Sequence, residues 1–365
     1  MSKKIYVGAM SGTSHDAVDV SIIEINSGIN LRYFYSQKIP ARLKTKIRNA
    51  IESDIISLSG LGKLNKEIGH IFSKAVNIAI AKSNIKKSSI NCIAISGQTI
   101  RHEIGKKYPF SMQVGDPNII ANEVDLPVVS DFRNMHIALG GSGAPLVPEF
   151  HNEIFYKSKC IRIILNIGGI SNYSYIKNKK QIWGSDIGPG NAMMDAYCNK
   201  FLNKPFDNEG SIASKGVIDK RELNRLLKNP FFNKSFPKST GKELFNLNIL
   251  SKSFLTLSAS DVLATLAELT AQSLAIAIKK NNHACHELIV CGGGSNNRYL
   301  MGRIKKLVGV DVLVSDDLQL DAQSIESMAF AWMGYKRMKK ETLKVQLGNN
   351  KYVKGLLGSI VRSKP

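Results

Sequence analysis

Cysteine is scarce in this chain of 365 residues: Cys92, Cys160, Cys198, Cys285 and Cys291, with no C-x-x-C pair. An odd, scattered set excludes a disulfide framework and gives no zinc-site spacing. Most of these cysteines read instead as small buried apolar residues. Long apolar runs are missing too; none approaches the roughly 20 residues that cross a bilayer. The opening Met1-Ser2-Lys3-Lys4-Ile5 has neither the apolar core nor the small-residue cleavage site of a signal peptide. A cytoplasmic protein without a membrane partner is expected. Acidic residues are few, 29 against 50 basic, which leaves a net charge of +21. Such an excess reads as a nucleic-acid or membrane footprint, as diffuse lysine enrichment, or as attraction for an anionic substrate. The lysines are spread along the chain, in short clusters such as Lys86-Lys87, Lys179-Lys180 and Lys339-Lys340. With no arginine block, RNA-binding aromatic signature or zinc finger, the diffuse reading is favoured and no nucleic-acid partner is expected.

What is present is a globular composition, 43% hydrophobic and 22% charged, long enough for one large domain or two ordinary ones. The chain is organised around Ile182-Trp183-Gly184-Ser185-Asp186-Ile187-Gly188-Pro189-Gly190-Asn191. An apolar run ends in one acid, Asp186, then a Gly-Pro-Gly turn and a helix start. Gly188 and Gly190 can take positive φ and bring backbone N–H groups close to a ligand. A helix start suits phosphate, and Asp186 beside it can take a proton from water or a hydroxyl. The same layout also reads as a plain strand-to-helix turn with an acid near the helix start.

Ahead of it, strands are expected at Lys4–Met10, Ala17–Ile25 and Leu31–Gln37, a β-meander. The loop Met10-Ser11-Gly12-Thr13-Ser14-His15-Asp16 can present hydroxyl and N–H donors to phosphate. Asp16 and Asp19 are candidate Mg²⁺ ligands. No Walker lysine follows, so this is not a P-loop. Helices at Ala41–Ser53 and Leu61–Lys82 lead to a strand Cys92–Ser96 and the polar cluster Gly97-Gln98-Thr99-Ile100-Arg101-His102. A strand follows at Ser111–Val114, and Leu126–Arg133 is strand then loop. Arg133 offers a planar fork for carboxylate, and the Gly/Pro-dense 138–148 reads as a domain hinge or crossover.

Strands around Ile161–Asn172, Tyr173–Ile176 and Gln181–Ser185 then repeat the meander. Helices are expected at Ala192–Leu202, Val217–Lys228 and Asp261–Lys280, with a loop-rich 230–246 carrying Lys238-Ser239-Thr240-Gly241-Lys242-Glu243. A strand Leu288–Cys291 enters Gly292-Gly293-Gly294, where adenine or ribose can lie against backbone. A helix Tyr299–Leu307, a strand Asp311–Val314, a helix Gln323–Met338 with Glu326 in its first turn, and a tail element within Leu356–Val361 complete the reading. The expected fold class is α/β: a two-domain actin-like ATPase (ribonuclease H-like) fold, two β-meander halves with helices and ATP in the cleft between them. The expected domains are 1–130 plus about 345–365, and 131–344.

In its motifs the chain resembles the 1,6-anhydro-N-acetylmuramic acid kinase family, a member of the actin/hexokinase/Hsp70-like superfamily. The matching strings are Met10-Ser11-Gly12-Thr13-Ser14 with Asp16 and Asp19; Gly97-Gln98-Thr99; Asp131-Phe132-Arg133; Ala138-Leu139-Gly140-Gly141 with Gly143-Ala144-Pro145; Leu165-Asn166-Ile167-Gly168-Gly169-Ile170; Asp186 with Gly188-Pro189-Gly190-Asn191; Ser239-Thr240-Gly241; Val290-Cys291-Gly292-Gly293-Gly294; and Glu326 with Ala329-Phe330-Ala331-Trp332. The resemblance implies a homodimeric, ATP- and Mg²⁺-dependent kinase of peptidoglycan recycling and amino-sugar catabolism. Such an enzyme opens the anhydro bridge of anhydro-N-acetylmuramic acid with water and phosphorylates O6, giving N-acetylmuramic acid 6-phosphate and ADP. It implies Asp186 as catalytic base and Gln98, Thr99, His102, Arg133 and Glu326 toward the sugar. Nucleotide positions would be Gly12, Thr13, Ser14, His15, Asp16, Ala17, Val18, Asp19, Gly188, Gly190, Asn191, Gly292, Gly293 and Gly294. Departures stand at His15, Ala17 and Ser142, where the family has Leu, Gly and Gln, and in the tail at Val353-Lys354-Gly355. Ala17 requires a turn of negative φ or strain there. The alternatives are another actin-fold sugar kinase, a basic nucleic-acid-binding protein, and a non-catalytic relic.

Overall fold

The computed structural model describes residues 4–53, 55–105, 107–280, 284–348 and 351–364. In chain order the strands and helices are β1 (Ile5–Met10), β2 (Ala17–Ile25), β3 (Ile29–Lys38), α1 (Ala41–Glu52), α2 (Leu58–Lys82), β4 (Ile90–Ile95), β5 (Gln98–Glu103), β6 (Phe110–Val114), α3 (Pro117–Val124), β7 (Val128–Ser130), α4 (Phe132–Ala138) and α5 (Pro148–Phe155). Then come β8 (Arg162–Ile167), β9 (Ile170–Ile176), β10 (Ile182–Pro189), α6 (Ala192–Leu202), α7 (Lys220–Leu227), α8 (Ala259–Lys280), β11 (Glu287–Cys291), α9 (Arg298–Val308) and β12 (Asp311–Val314). Last are α10 (Ile325–Met338), β13 (Leu343–Gln346), β14 (Tyr352–Gly355) and β15 (Ser359–Val361).

The chain divides into two compact units, Met1–Phe150 with Ser324–Pro365, and His151–Gln323. This division assigns the Gly/Pro segment and α10 to the first unit, where the sequence reading put them in the second. Each unit holds one mixed sheet of the same order. In the first, β3-β2-β1-β4-β7 runs third, second, first, fourth, fifth, with β15 added at the β7 edge. In the second the order is β10-β9-β8-β11-β12. In both, the first three strands form an antiparallel meander and the last two lie parallel to the first. This duplicated order is the actin-like ATPase arrangement expected from the sequence.

Alternation explains the first sheet. Val18, Val20 and Ile22 of β2 face one side with Leu43 and Ile47 of α1 and Leu64, Ile68 and Phe72 of α2. Ser21 points to the other side, where its Oγ lies 2.7 Å from Ser327 Oγ on α10. Gly8 is needed there: a Cβ would sit 1.9 Å from the Ser327 carbonyl oxygen. Ser57 starts α2 three residues earlier than expected by accepting from the Gly60 N–H. In the second unit, α8 is buried among Leu165, Tyr173, Met194 and Leu288. Among the described residues it is the helix long and apolar enough to cross a membrane, with 72% of that window buried inside the protein. Two tail features escaped the sequence reading, the β13–β14 hairpin and its Val345–Val353 pair. The expected last element is β15, antiparallel to β7.

Candidate active site

Asp186 lies in β10, not after it, at an interruption of the β9 ladder between Asp186 and Gly188. Bulges of this kind redirect side chains. Asp186 is 7% exposed. Its Oδ2 accepts from Ser239 Oγ at 3.0 Å and from the Thr240 N–H at 2.9 Å. The preceding residue fastens the same segment: the Asp186 N–H donates to the Lys238 carbonyl at 3.0 Å, and Ser185 Oγ accepts from the Lys238 N–H at 2.9 Å. The Lys-Ser-Thr segment therefore runs beside β10 and aims the acid.

The Gly-Pro-Gly turn differs from expectation. The N–H groups of Gly190 and Asn191, expected to face phosphate, donate to the Gly169 and Gly168 carbonyls at 3.0 and 2.8 Å. The Ala192 N–H donates to Gly169 as well, at 3.1 Å. Gly190 is glycine because a Cβ would lie 2.2 Å from the Gly168 oxygen. Gly188, at φ +154, would meet Ser273 Oγ at 2.7 Å. Close packing of the β8–β9 turn accounts for Gly190, and packing of Ser273 on α8 and Phe232 accounts for Gly188.

The second glycine cluster follows β11 and is better suited to a ligand. Gly292 takes φ +80, and its Cβ would meet Asn166 Oδ1 at 2.3 Å. Gly294 fits only against Ile167, whose Cγ2 would lie 2.2 Å away. Gly293, between them, is exposed, with nothing within 4 Å of its would-be Cβ. Packing fixes the outer glycines and leaves the middle one as an open backbone surface.

In the first loop, Ser11 is not a phosphate donor in the structure: its Oγ donates to Gln98 Oε1 at 2.7 Å, and its N–H to Ser96 Oγ at 3.1 Å. Gln98, expected toward the sugar, is 1% exposed and also donates to the Thr99 carbonyl at 3.1 Å. It ties the loop to β5 instead. Gly12 is half-buried, and Thr13 and Ser14 are exposed at the tip. Of the two alternatives at Ala17, negative φ holds, since Ala17 is ordinary strand, and the residue at positive φ is His15, at +47. Val18 is fully buried in the core, so it can offer a nucleotide backbone only.

The two candidate metal ligands diverge. Asp16 Oδ1 accepts from Lys44 Nζ of α1 at 2.6 Å. Burial tends to raise the Asp16 pKa, but the Lys44 and Ser14 hydrogen bonds outweigh it and hold the group below its ordinary value. Asp19 accepts from Ser36 Oγ at 2.6 Å. It lies on the opposite face of β2 from Val18 and Val20. Among the described residues no three His, Cys, Asp or Glu side chains cluster for a metal. One or two carboxylates beside water and phosphate are enough for Mg²⁺; of the two acids here, Asp16 carries a lysine contact and Asp19 a hydroxyl contact.

Thr99, His102 and Arg133 are brought into one polar cluster of the first unit. Thr99 and His102 on β5 pair with Gln113 and Ser111 on β6. Gln113 Nε2 donates to Thr99 Oγ1 at 3.2 Å and to Ser111 Oγ at 2.6 Å; His102 Nδ1 lies 2.9 Å from Ser111 Oγ. Burial, helped by the Arg133 charge, pushes His102 down to about 4. Its Nε2 is buried with no hydrogen-bond partner among the described residues. Arg133 on α4 donates to the Gly143 carbonyl at 2.8 Å, and the Gly143 N–H donates to His136 Nδ1 at 2.9 Å. The Gly/Pro segment expected as a hinge is thus pinned to α4. Ser111, Gln113 and His136 were missed by sequence reasoning; the alternation of Ser111 and Gln113 on an expected strand was the available signal. Glu326 opens α10, on the helix that packs on β1, β2 and β4. Asp186 and the glycine turn belong to the second unit, and the sugar candidates to the first.

A family model described as Anhydro-N-acetylmuramic acid kinase matches residues 4–361. A protein of that name from Gamma-proteobacterium EBAC31A08 is 61% identical over 364 residues, covering 100% of both chains. One from Vibrio cholerae is 38% identical over 341 residues, 92% of each chain; one from Sulfurimonas denitrificans is 38% identical over 369 residues, 98% of this chain and 99% of the relative. Among solved structures, the activator of 2-hydroxyisocaproyl-CoA dehydratase from Clostridium difficile with bound ADPNP aligns at TM-score 0.48 and 12% identity, covering 92% of this chain and 96% of that one. A ROK family glucokinase from Streptomyces griseus in complex with glucose and AMPPNP aligns at 0.40 and 12%, covering 90% and 98%.

Proposed function

The chain belongs to the anhydro-N-acetylmuramic acid kinase family, and on that premise we propose that it couples hydrolysis of the 1,6-anhydro bond of anhydro-N-acetylmuramic acid to phosphorylation of O6 by ATP. Water adds to C1 and gives its proton to Asp186. The C1–O6 bond breaks, O6 takes the γ-phosphoryl group, and ADP leaves with N-acetylmuramic acid 6-phosphate. The observation that carries this reading is the buried Asp186 carboxylate, aimed by Ser239 and Thr240. A positioned carboxylate base contributes about 10²–10⁴-fold.

Phosphoryl transfer needs positioning and charge neutralisation more than covalent help. The Gly12–Ser14 tip, exposed at Thr13 and Ser14, would hold phosphate, and the open backbone at Gly293 would carry the adenosine. Mg²⁺, held by Asp19 together with phosphate and water, would supply charge neutralisation. On the sugar side, Arg133 suits the lactyl carboxylate. Thr99, Glu326 and the unpartnered His102 Nε2 suit hydroxyl and amide groups. The protein would work in the cytoplasm as a homodimer, recycling cell-wall sugars.

An ordinary sugar kinase of the same fold would phosphorylate a hydroxyl without adding water. Turnover in ¹⁸O water separates the two. Label at the anomeric hydroxyl, with a product mass increased by both water and phosphate, is expected. A phosphorylated sugar without the label would sink the hydrolytic reading.

A further inference from the structure

Lys238 precedes the two residues that hold Asp186, and it is 8% exposed. Burying an ammonium costs several kcal/mol unless its donors are met. Here Nζ donates to the Phe231 carbonyl at 2.9 Å and approaches the Phe232 carbonyl at 3.5 Å. It sits 4.2 Å from the Phe231 ring centroid, 4.6 Å from Phe236 and 5.9 Å from Phe232. The main chain of the same residue meets Ser185 and Asp186, as described above. Side chain and backbone thus grip two different walls of the second unit, with the Asp186 donors immediately beyond.

We propose that Lys238 is a positioning residue for Asp186: its caged ammonium anchors the 238–240 segment that aims the carboxylate. The inference rests on Asp186 being the base. Lys238 touches none of the reacting atoms in this scheme, so its loss should lower kcat and leave KM alone. The ammonium also has a titration signature. Burial, together with the charges of Lys280 on α8 and Lys234 on its own loop, pushes Lys238 down to about 8, while Asp186 on β10 pulls it back up. The anchor is therefore charged at neutral pH and loses its charge on mild alkalinisation.

The test compares wild type with Lys238→Met, Lys238→Arg and Asp186→Asn, measuring kcat and KM against pH. Wild-type kcat should fall as pH rises through about 8. Lys238→Arg should move that fall out of range, since a guanidinium stays charged. Lys238→Met should lose on the order of 10²-fold in kcat with KM within about twofold, the scale of a misplaced catalytic group. If both Lys238 variants superimpose on wild type while Asp186→Asn is inactive, the anchor role is wrong and the base reading stands. If Asp186→Asn turns over near the wild-type rate, the base reading falls and this inference with it. Should Lys238→Met fail to fold, Lys238→Arg decides: a kcat that still falls as pH rises through about 8 overturns the anchor role.

Discussion

The Thr240 N–H donates to Asp186 Oδ2 at 2.9 Å across 54 residues of sequence, and Ser239 Oγ joins it at 3.0 Å on the same oxygen. A hydrogen bond to a charged group is worth roughly 1.5–3 kcal/mol. Ser239→Ala removes the hydroxyl donor and leaves the Thr240 N–H. It should lower kcat by tenfold or more, on that energy scale, with nucleotide affinity unchanged by calorimetry. Asp186→Asn keeps the shape and an acceptor but loses the base, so turnover should fall by about 10²–10⁴-fold while nucleotide still binds and the melting temperature holds.

Gly190 makes the opposite kind of prediction, a structural one. Gly190→Ala drives a methyl group into the Gly168 carbonyl, where backbone cannot yield. A loss of about 1–3 kcal/mol is expected, as for other overpacked sites, read as a lower melting temperature. If Gly190→Ala melts like wild type, the close approach is not rigid.

Mg²⁺ dependence should distinguish the two acids of the first loop. Asp19→Asn is expected to raise the Mg²⁺ concentration for half-maximal rate severalfold. Asp16→Asn, which weakens the exposed contacts to Lys44 and Ser14, should leave it near wild type. Equal effects from the two substitutions would contradict this assignment.

Acid lability should come from histidines. Burial pushes His151 down to about 3, and burial with the Arg133 charge pushes His102 and His136 down to about 4. Their folded values lie below the unfolded value of about 6.5. Below that pH the unfolded chain takes up protons that the folded chain refuses, so stability falls as pH drops from about 6.5 toward 4. Thermal melts across that window should show it, and His102→Gln should flatten the slope. A melting temperature level through the window would refute the account.

The local chemistry of the chain was legible without a structure. Apolar alternation marked β2 and β12 at their observed bounds, and helical spacing with the start at Ala192 marked α6. The repeat of the meander indicated the duplicated sheet order. Asp186, Arg133 and the 292–294 glycines were recognisable as candidates from residue type and position alone. What the glycines and polar residues were doing was not. Gly190 carries no mark in the sequence that its N–H serves Gly169 rather than a ligand, and Gln98 none that it is buried against Ser11. Nor could spacing reveal that Lys238, 52 residues beyond Asp186, lies beside it in a cage of phenylalanines. Sequence determines what each residue can donate, accept or exclude, and periodicity determines the elements. Which donor meets which acceptor depends on contacts between segments distant in the chain, and only tertiary packing, by deciding which groups lose water together, assigns those partners.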